Sequence, residues 1–312
     1  MNAALAATQI VNGLQLGVLL FLVASGLTLI FGILDFVNLA HGVFYMLGAF
    51  VSASLSAWTG SWPLAVGLSL PVVALTGLVT ERLVARPLYN KSHLAQVLAT
   101  FGLILLADAL AMLVWGVEGR SVALPGWLDG RVTLGGGMEL PLYRLVIIAA
   151  GLAVAGGLYL WVHHTRFGML VRAAAANRDM AEALGVDTSK LFSAVFALGA
   201  ALAGLAGMLI APVTEASLSM GSDIIIIAFV VIIIGGIGSL KGAFIAALLA
   251  GMTDTMGRAW LDGAFKLVMP AQAAETAAPA ISAMSVYILM AAILVARPRG
   301  LFPPPSRGGR DG

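Results

Sequence analysis

The sequence predicts an all-α polytopic membrane protein of about eight transmembrane helices, or nine if one interrupted segment spans fully. Three observations carry this. Of 312 residues, 60% are hydrophobic and only 10% charged, with a mean hydropathy of +1.01; a soluble domain has about 25% charged residues. The apolar residues gather in runs, most of them long enough to cross a hydrocarbon core of about 30 Å at 1.5 Å per residue. The alternating pattern of a barrel strand is missing, so helices must satisfy the backbone groups in lipid. Water-soluble folds are excluded.

In chain order the runs are 9–31, 36–57, 62–81, 94–116, 142–162, 192–213, 223–234, 242–260 and 281–296. Run 223–234 is rich in β-branched residues and would read as a buried strand in water. In lipid that preference is overridden and a helix is expected, although the run is short for a span. The stretch 32–41 (GILDFVNLAH) carries polar groups that suit a break within the membrane, and the glycines at 235–238 suit a second one. Residues 1–302 form one transmembrane domain. The longest connector, 117–141, is glycine-rich, and the proline- and glycine-rich tail 303–312 is expected to be disordered. The tryptophans (58, 62, 115, 127, 161 and 260) lie near run ends or in a loop, as an interfacial belt would.

The formal charge of +2 and pI near 9.1 do not indicate nucleic acid, because the basic residues sit in short loops between apolar runs. Arg82, Arg86, Lys91, Arg166, Arg172, Arg178, Lys190, Lys241, Arg297, Arg299, Arg307 and Arg310 fall on one side of the alternation. Arg120, Arg131, Arg144, Arg258 and Lys266 fall on the other. The richer set is assigned to the cytoplasm, which places the C-terminus inside. If 36–57 spans, there are nine helices and the N-terminus is outside; if it is re-entrant, there are eight and the N-terminus is inside. The polar groups of 32–41 favour the second arrangement. No positive n-region precedes the first run, which argues against a cleaved signal peptide. With no cysteine in the chain, no disulfide or thiol chemistry is available.

The longest inside loop is 163–191 (HHTRFGMLVRAAAANRDMAEALGVDTSKL). It reads as one alanine-rich helix from about Met169 to Leu184, with Gly185 at its C-cap. Met169, Leu170, Ala173, Ala176, Met180 and Leu184 recur at helical steps and form an apolar stripe, while Arg172, Asn177, Arg178, Asp179 and Glu182 take other faces. Such a helix suits a groove on a partner protein, or equally a bed of lipid headgroups.

The segment RAAAANRDMAEALGVDTSKLFSAVFALGAALAGLAG resembles the cytoplasmic coupling segment of bacterial ABC-importer permeases. More narrowly, it is similar to the branched-chain amino acid permeases of the LivH type, with Ala181, Glu182, Ala183 and Gly185 on the family's core pattern. Three more stretches agree in order: ASGLTLIFGILDFVNLAHGVFYMLGAF at 24–50, VVIIIGGIGSLKGAFIAALLAG at 230–251 and RPRGLF at 297–302. The resemblance implies a bacterial cytoplasmic (inner) membrane location, half of a translocation path, and no catalytic role for this chain. The partners it implies are a second, different permease subunit, two ATP-binding cassette subunits and an extracytoplasmic substrate-binding protein. It also implies that no cofactor is held by this chain, with ATP and Mg on the ATPases. In keeping with this, the sequence has no Gly-x-x-x-x-Gly-Lys-[Ser/Thr] phosphate loop.

Ionisable residues within spans cost about 2.5–3.5 kcal/mol at the membrane centre on insertion scales. Asp35, Asn38 and His41, spaced by three, would share a face if that stretch is helical. Asp35 and His41 could then pair, or a helix starting at Asn38 could be capped by it. With Asp108 and the glycines Gly235, Gly236 and Gly238, they are the candidate residues of a translocation path. The bland readings are a polar turn for 35–41, a buried hydrogen-bonded carboxylate for Asp108, and close packing or a hinge for the glycines. GGIG at 235–238 does not complete a dinucleotide fingerprint, since Lys241 stands at the last glycine place. His41-Gly42-Val-Phe echoes Lys241-Gly242-Ala-Phe, as paired broken helices do in transporters. Asp254 could line a cavity, pair or titrate; Asn12 and Gln15 could bond the first helix to a neighbour; Gly199, Gly204 and Gly207 mark a close helix contact. No metal site is expected at His163 and His164. An ion-coupled secondary transporter using Asp35, Asp108 or Asp254 is the alternative function. The substrate, whether leucine, isoleucine, valine or a related amino acid, amide or urea, is not written in these residues.

Overall fold

The computed structural model describes residues 3–134 and 138–303. The tail expected to be disordered therefore lies, from residue 304 on, outside the described residues.

Each of the nine apolar runs forms one helix. They are α1 (Ala3–Leu34), α2 (His41–Thr59), α3 (Trp62–Thr80), α4 (His93–Trp115), α5 (Leu142–His164), α8 (Thr188–Thr214), α9 (Met220–Gly235), α10 (Leu240–Phe265) and α11 (Ala271–Ala296). Two short helices, α6 (Arg166–Ala176) and α7 (Arg178–Ala183), lie in the loop before α8. Among the described residues seven helical segments are long and apolar enough to cross a membrane, and α9 is a shorter apolar helix. The β-branched run is thus helical after all, as lipid demands. The connector 117–141 is not wholly irregular: Arg131–Leu134 (β1) and Met138–Pro141 (β2) pair as an antiparallel hairpin.

α1 is apolar around its circumference and almost fully buried from Val18 to Ile30, the mark of a central helix. α10, α8, α5 and α9 surround it, and α2 lies against α8, α3 and α9. α4 and α11 are peripheral, with most of their side chains uncovered. Small residues set these contacts, since lipid supplies no hydrophobic drive between helices. Gly13 and Gly17 of α1 meet Met252 and Leu248 of α10, Gly26 meets Gly199 of α8, and Gly48 of α2 meets Gly204. The glycines 199, 204 and 207 therefore form the close contact their spacing predicts.

Neighbour relations define the two ends of the bundle. Arg144, in the first turn of α5, donates to Asn12, so the start of α1 lies at the end that holds connector 117–141. The other end collects the α1 terminus, residues 81–92, the α6–α7 loop, the α9–α10 turn and residues 297–302, linked by the contacts Phe36–Tyr89, Tyr89–Phe192, Arg178–Phe192, Gly32–Gly238 and Leu301–Ile234. The N-terminal half of α1 is thus opposite the α6–α7 loop. The arrangement favoured by the polar groups of 32–41 puts the N-terminus on the loop's side, whereas these contacts put the start of α1 at the other end of the bundle.

The break at 35–40 is real nonetheless. α2 does not start at the end of α1: His41 lies beside Val23 and Gly26, eight residues or about 12 Å back along α1. From there its 19 residues run to the far end, where Trp115 Nε1 donates to Ser54 Oγ at 2.8 Å. Trp115, half-buried, also stacks on Phe50, and Trp62 is buried edge-on against Tyr143.

Candidate functional site

Two features hold most of the predicted site residues, the α6–α7 loop and the break at 35–40; Asp108 lies on α4 and Gly235, Gly236 and Gly238 at the α9–α10 turn.

The loop is not one helix. Asn177 is extended (φ −155°, ψ 107°) and separates α6 from α7. Its Oδ1 accepts from Met180 N at 2.9 Å, an N-cap that starts a second helix at an angle to the first. Gly185, at φ +84°, closes α7 as expected: Val186 N donates to Ala181 O and Gly185 N to Glu182 O, the paired bonds of a Schellman cap. Val171, Ala174 and Ala181 face the bundle and are buried. The predicted stripe faces outward, with Met169 55%, Met180 58% and Leu184 78% exposed. Arg172 is turned back to donate to Val162 O.

The charges of α7 work within the chain. Glu182 accepts from Arg178 Nε at 3.0 Å and from Thr188 Oγ1 at 2.5 Å. The Thr188 hydroxyl and the Arg178 guanidinium hold its carboxyl below the usual carboxylate range. Arg178 also lies 4.9 Å over the Phe192 ring. Together these pin α7 to the first turns of α8 and leave Met180 and Leu184 outward. Asp179 and Ala183 are exposed beside them.

At the break the expected pairing fails. Asp35 is exposed in the left-handed region (φ 52°), which ends α1, so it does not share a face with His41. His41 is fully buried, and its Nε2 donates to Val23 O at 3.2 Å. Asn38 caps nothing with its side chain: at 1% exposure its amide has no hydrogen-bond partner among the described residues, nor has His41 Nδ1 or Thr28 Oγ1. Such atoms are rare in native interiors. The backbone of the break is satisfied by α4, a role the sequence reading missed. Val37 N donates to Gln96 Oε1 at 3.0 Å and Leu39 N to Thr100 Oγ1 at 3.3 Å. Two polar residues four apart in an apolar helix were the available signal.

Gly235, Gly236 and Gly238 form a tight turn, with φ +100° and +85° at the last two. Gly235 abuts Gly242, Gly238 abuts Gly32, and Gly236 abuts Phe302. Leu301 N and Phe302 N donate to Ile234 O and Gly235 O, capping α9 from the RPRGLF segment. The packing reading fits the close contacts of these glycines. Asp108 is half-buried on the mostly uncovered α4, and no side chain bonds its carboxylate among the described residues. Asp254 pairs with Arg258 one turn on at 3.1 Å.

A further cluster was not foreseen. Glu81, wholly buried, takes Arg86 Nε at 3.1 Å and Nη2 at 3.2 Å, Tyr89 OH at 3.0 Å and Ser193 Oγ at 2.8 Å. Residues 81–85 form a π-helical turn, with Arg86 N bonded to Glu81 O. In an α-helix residues five apart point about 140° from each other. The i→i+5 turn stacks them, so α-helical periodicity could not reveal this pair.

Among known proteins, residues 9–296 match the family described as branched-chain amino acid transport system, permease component. The BraD permease protein of the high-affinity branched-chain amino acid transport system of Pseudomonas aeruginosa is 31% identical over 80% of this chain and 85% of its own. LivH of the corresponding Escherichia coli system is 29% identical over 84% of this chain and 89% of its own. The probable branched-chain amino acid transport permease LivH of Methanocaldococcus jannaschii is 31% identical over 79% of each.

Proposed function

This chain belongs to the branched-chain amino acid transport permease family, and from that premise we propose that it forms half of the translocation path of an ABC importer for branched-chain or related amino acids. It is a multi-pass membrane protein whose relatives are permease components. In our reading its partners are a second permease subunit, two ATPases that bind ATP and Mg, and an extracytoplasmic binding protein. The C-terminus and the α6–α7 loop are cytoplasmic, by the positive-inside bias. Asn38 and His41 belong to the path, with Asp35 at its inner mouth and Asp108 facing the path or the second permease, because a lipid-facing carboxylate at that depth is costly.

The observation that carries this reading is the α6–α7 loop. One face is fixed to the bundle, while Met169, Met180 and Leu184 stand outward at the end where the basic loops gather. An apolar stripe held by an internal ion pair suits insertion into a protein groove. Replacing Met180 and Leu184 together by glutamate is expected to cut co-purification of the ATPases about tenfold, roughly 1.4 kcal/mol of docking energy, with membrane insertion unchanged. ATPases recovered at wild-type yield would count against the dock.

The transport reading is tested in vesicles with radiolabelled leucine, isoleucine and valine. Uptake is expected only when ATP and all partner chains are present. Accumulation by this chain alone under a proton or sodium gradient would overturn the importer reading in favour of ion-coupled transport.

A further inference from the structure

The Glu81 cluster lies between the α6–α7 loop and the break: Tyr89 touches the break directly and reaches the loop through Phe192 of α8. Its ring packs edge-on against Phe192 on one side (5.9 Å) and against Phe36 on the other (5.7 Å). Phe192 carries Arg178 of α7 on its face. Phe36, fully buried, is the second residue of the break. Tyr89 OH is bonded to Glu81, which also holds Ser193, the residue after Phe192. A second tie runs beside the first: Gln96 Nε2 donates to Leu88 O while its Oε1 accepts from Val37 N. A displacement of α7 thus has a continuous packed route, Arg178–Phe192–Tyr89–Phe36, into the one non-helical segment between α1 and α2.

We propose that Tyr89 is the joint that passes movement of the docking loop to the 35–40 break, and that Glu81 is the positioning residue that holds it between Phe192 and Phe36. This rests on the importer reading. The carboxylate suits the task because it takes donors from both sides: Arg86 and Tyr89 from the turn after α3, and Ser193 from α8. A neutral or shorter side chain could not gather all of them. The π-helical turn is what aims Arg86 at the same carboxylate, and such turns recur at functional sites in helices. Energetic coupling between distant sites is carried by packed side chains and hydrogen-bond networks of this kind.

The test uses the complete assembly in vesicles, with radiolabelled leucine, isoleucine and valine as probes and ATP hydrolysis measured in parallel. Tyr89→Leu is expected to leave ATPase co-purification and basal hydrolysis at wild-type levels while uptake falls about tenfold, inside the range for residues along a coupling network. Tyr89→Phe keeps the ring and loses only the bond to Glu81, so its uptake falls less. Phe36→Leu reproduces the Tyr89→Leu defect, and the double variant is no worse than either single one, because both break the same joint. Wild-type uptake in Tyr89→Leu, or losses that multiply in the double variant, would overturn the joint. So would a loss of uptake matched by an equal loss of bound ATPase. If the unaltered assembly shows no ATP-dependent uptake, it is the importer reading that fails.

Discussion

Gly207→Leu is expected to give no monodisperse folded protein after extraction from the membrane, while Gly156→Leu behaves as wild type. Both positions are glycines in the interior of long apolar helices, and helix propensity favours leucine at each. What separates them is the space beyond the missing Cβ. At Gly207 a Cβ would collide with the backbone carbonyl of Tyr45 and sit 3.2 Å from Ala49 N, so α8 and α2 would have to move apart as units. At Gly156 nothing lies within 4 Å. Overpacking a well-packed core costs about 1–3 kcal/mol and occasionally more. Here the colliding atoms are main chain on both sides, so the upper end of that range is expected. Helix association in lipid rests on close van der Waals packing. Size-exclusion profiles and thermal denaturation of the two variants in detergent check this. A folded Gly207→Leu with wild-type midpoint would mean that the seam is looser than these contacts imply.

The helices were legible because hydropathy is a strong signal when the solvent is lipid: each of the nine runs became a helix, including the β-branched one. What hydropathy does not encode is depth. A helix that starts about 12 Å back along its predecessor, as α2 does along α1, has the same composition as one that starts level with its end. The α6–α7 loop shows a different limit. Alanine-rich sequence predicts one helix through 169–184, but Asn177 offers its side chain to the backbone of Met180 and so starts a new helix. The cap residue was visible, yet its preference competed with several helix-forming alanines, and nothing local decides between them. The candidate site residues are those that a motif or a charge within an apolar run announces. Gln96, Thr100 and Glu81 were missed because their partners are remote or set by a π-helical turn. A Glu–Arg pair five apart at a membrane edge looks like two solvated charges.

Removing the arginine of that pair alone should be far more harmful than removing both charges. In Arg86→Ala the Glu81 carboxylate stays at 0% exposure with only the hydroxyls of Tyr89 and Ser193 to meet it. An uncompensated buried charge of this kind costs about 3–5 kcal/mol. Because Arg86 is itself 41% exposed, its attraction is partly screened, and the lower end of that range, about 3 kcal/mol, is expected. Glu81→Gln is the milder change, since Arg86 can turn its guanidinium to water and the amide oxygen still accepts from the neighbouring hydroxyls. The double variant Glu81→Gln with Arg86→Ala carries no buried charge, and it should recover most of the stability that Arg86→Ala alone loses. The three variants and the wild type form a cycle whose coupling term isolates the pair. Denaturation midpoints of the purified chain in detergent supply the four values. Equal destabilisation by Arg86→Ala and by the double variant would show that the carboxylate is satisfied without its arginine, and that the π-helical turn has some other reason to exist.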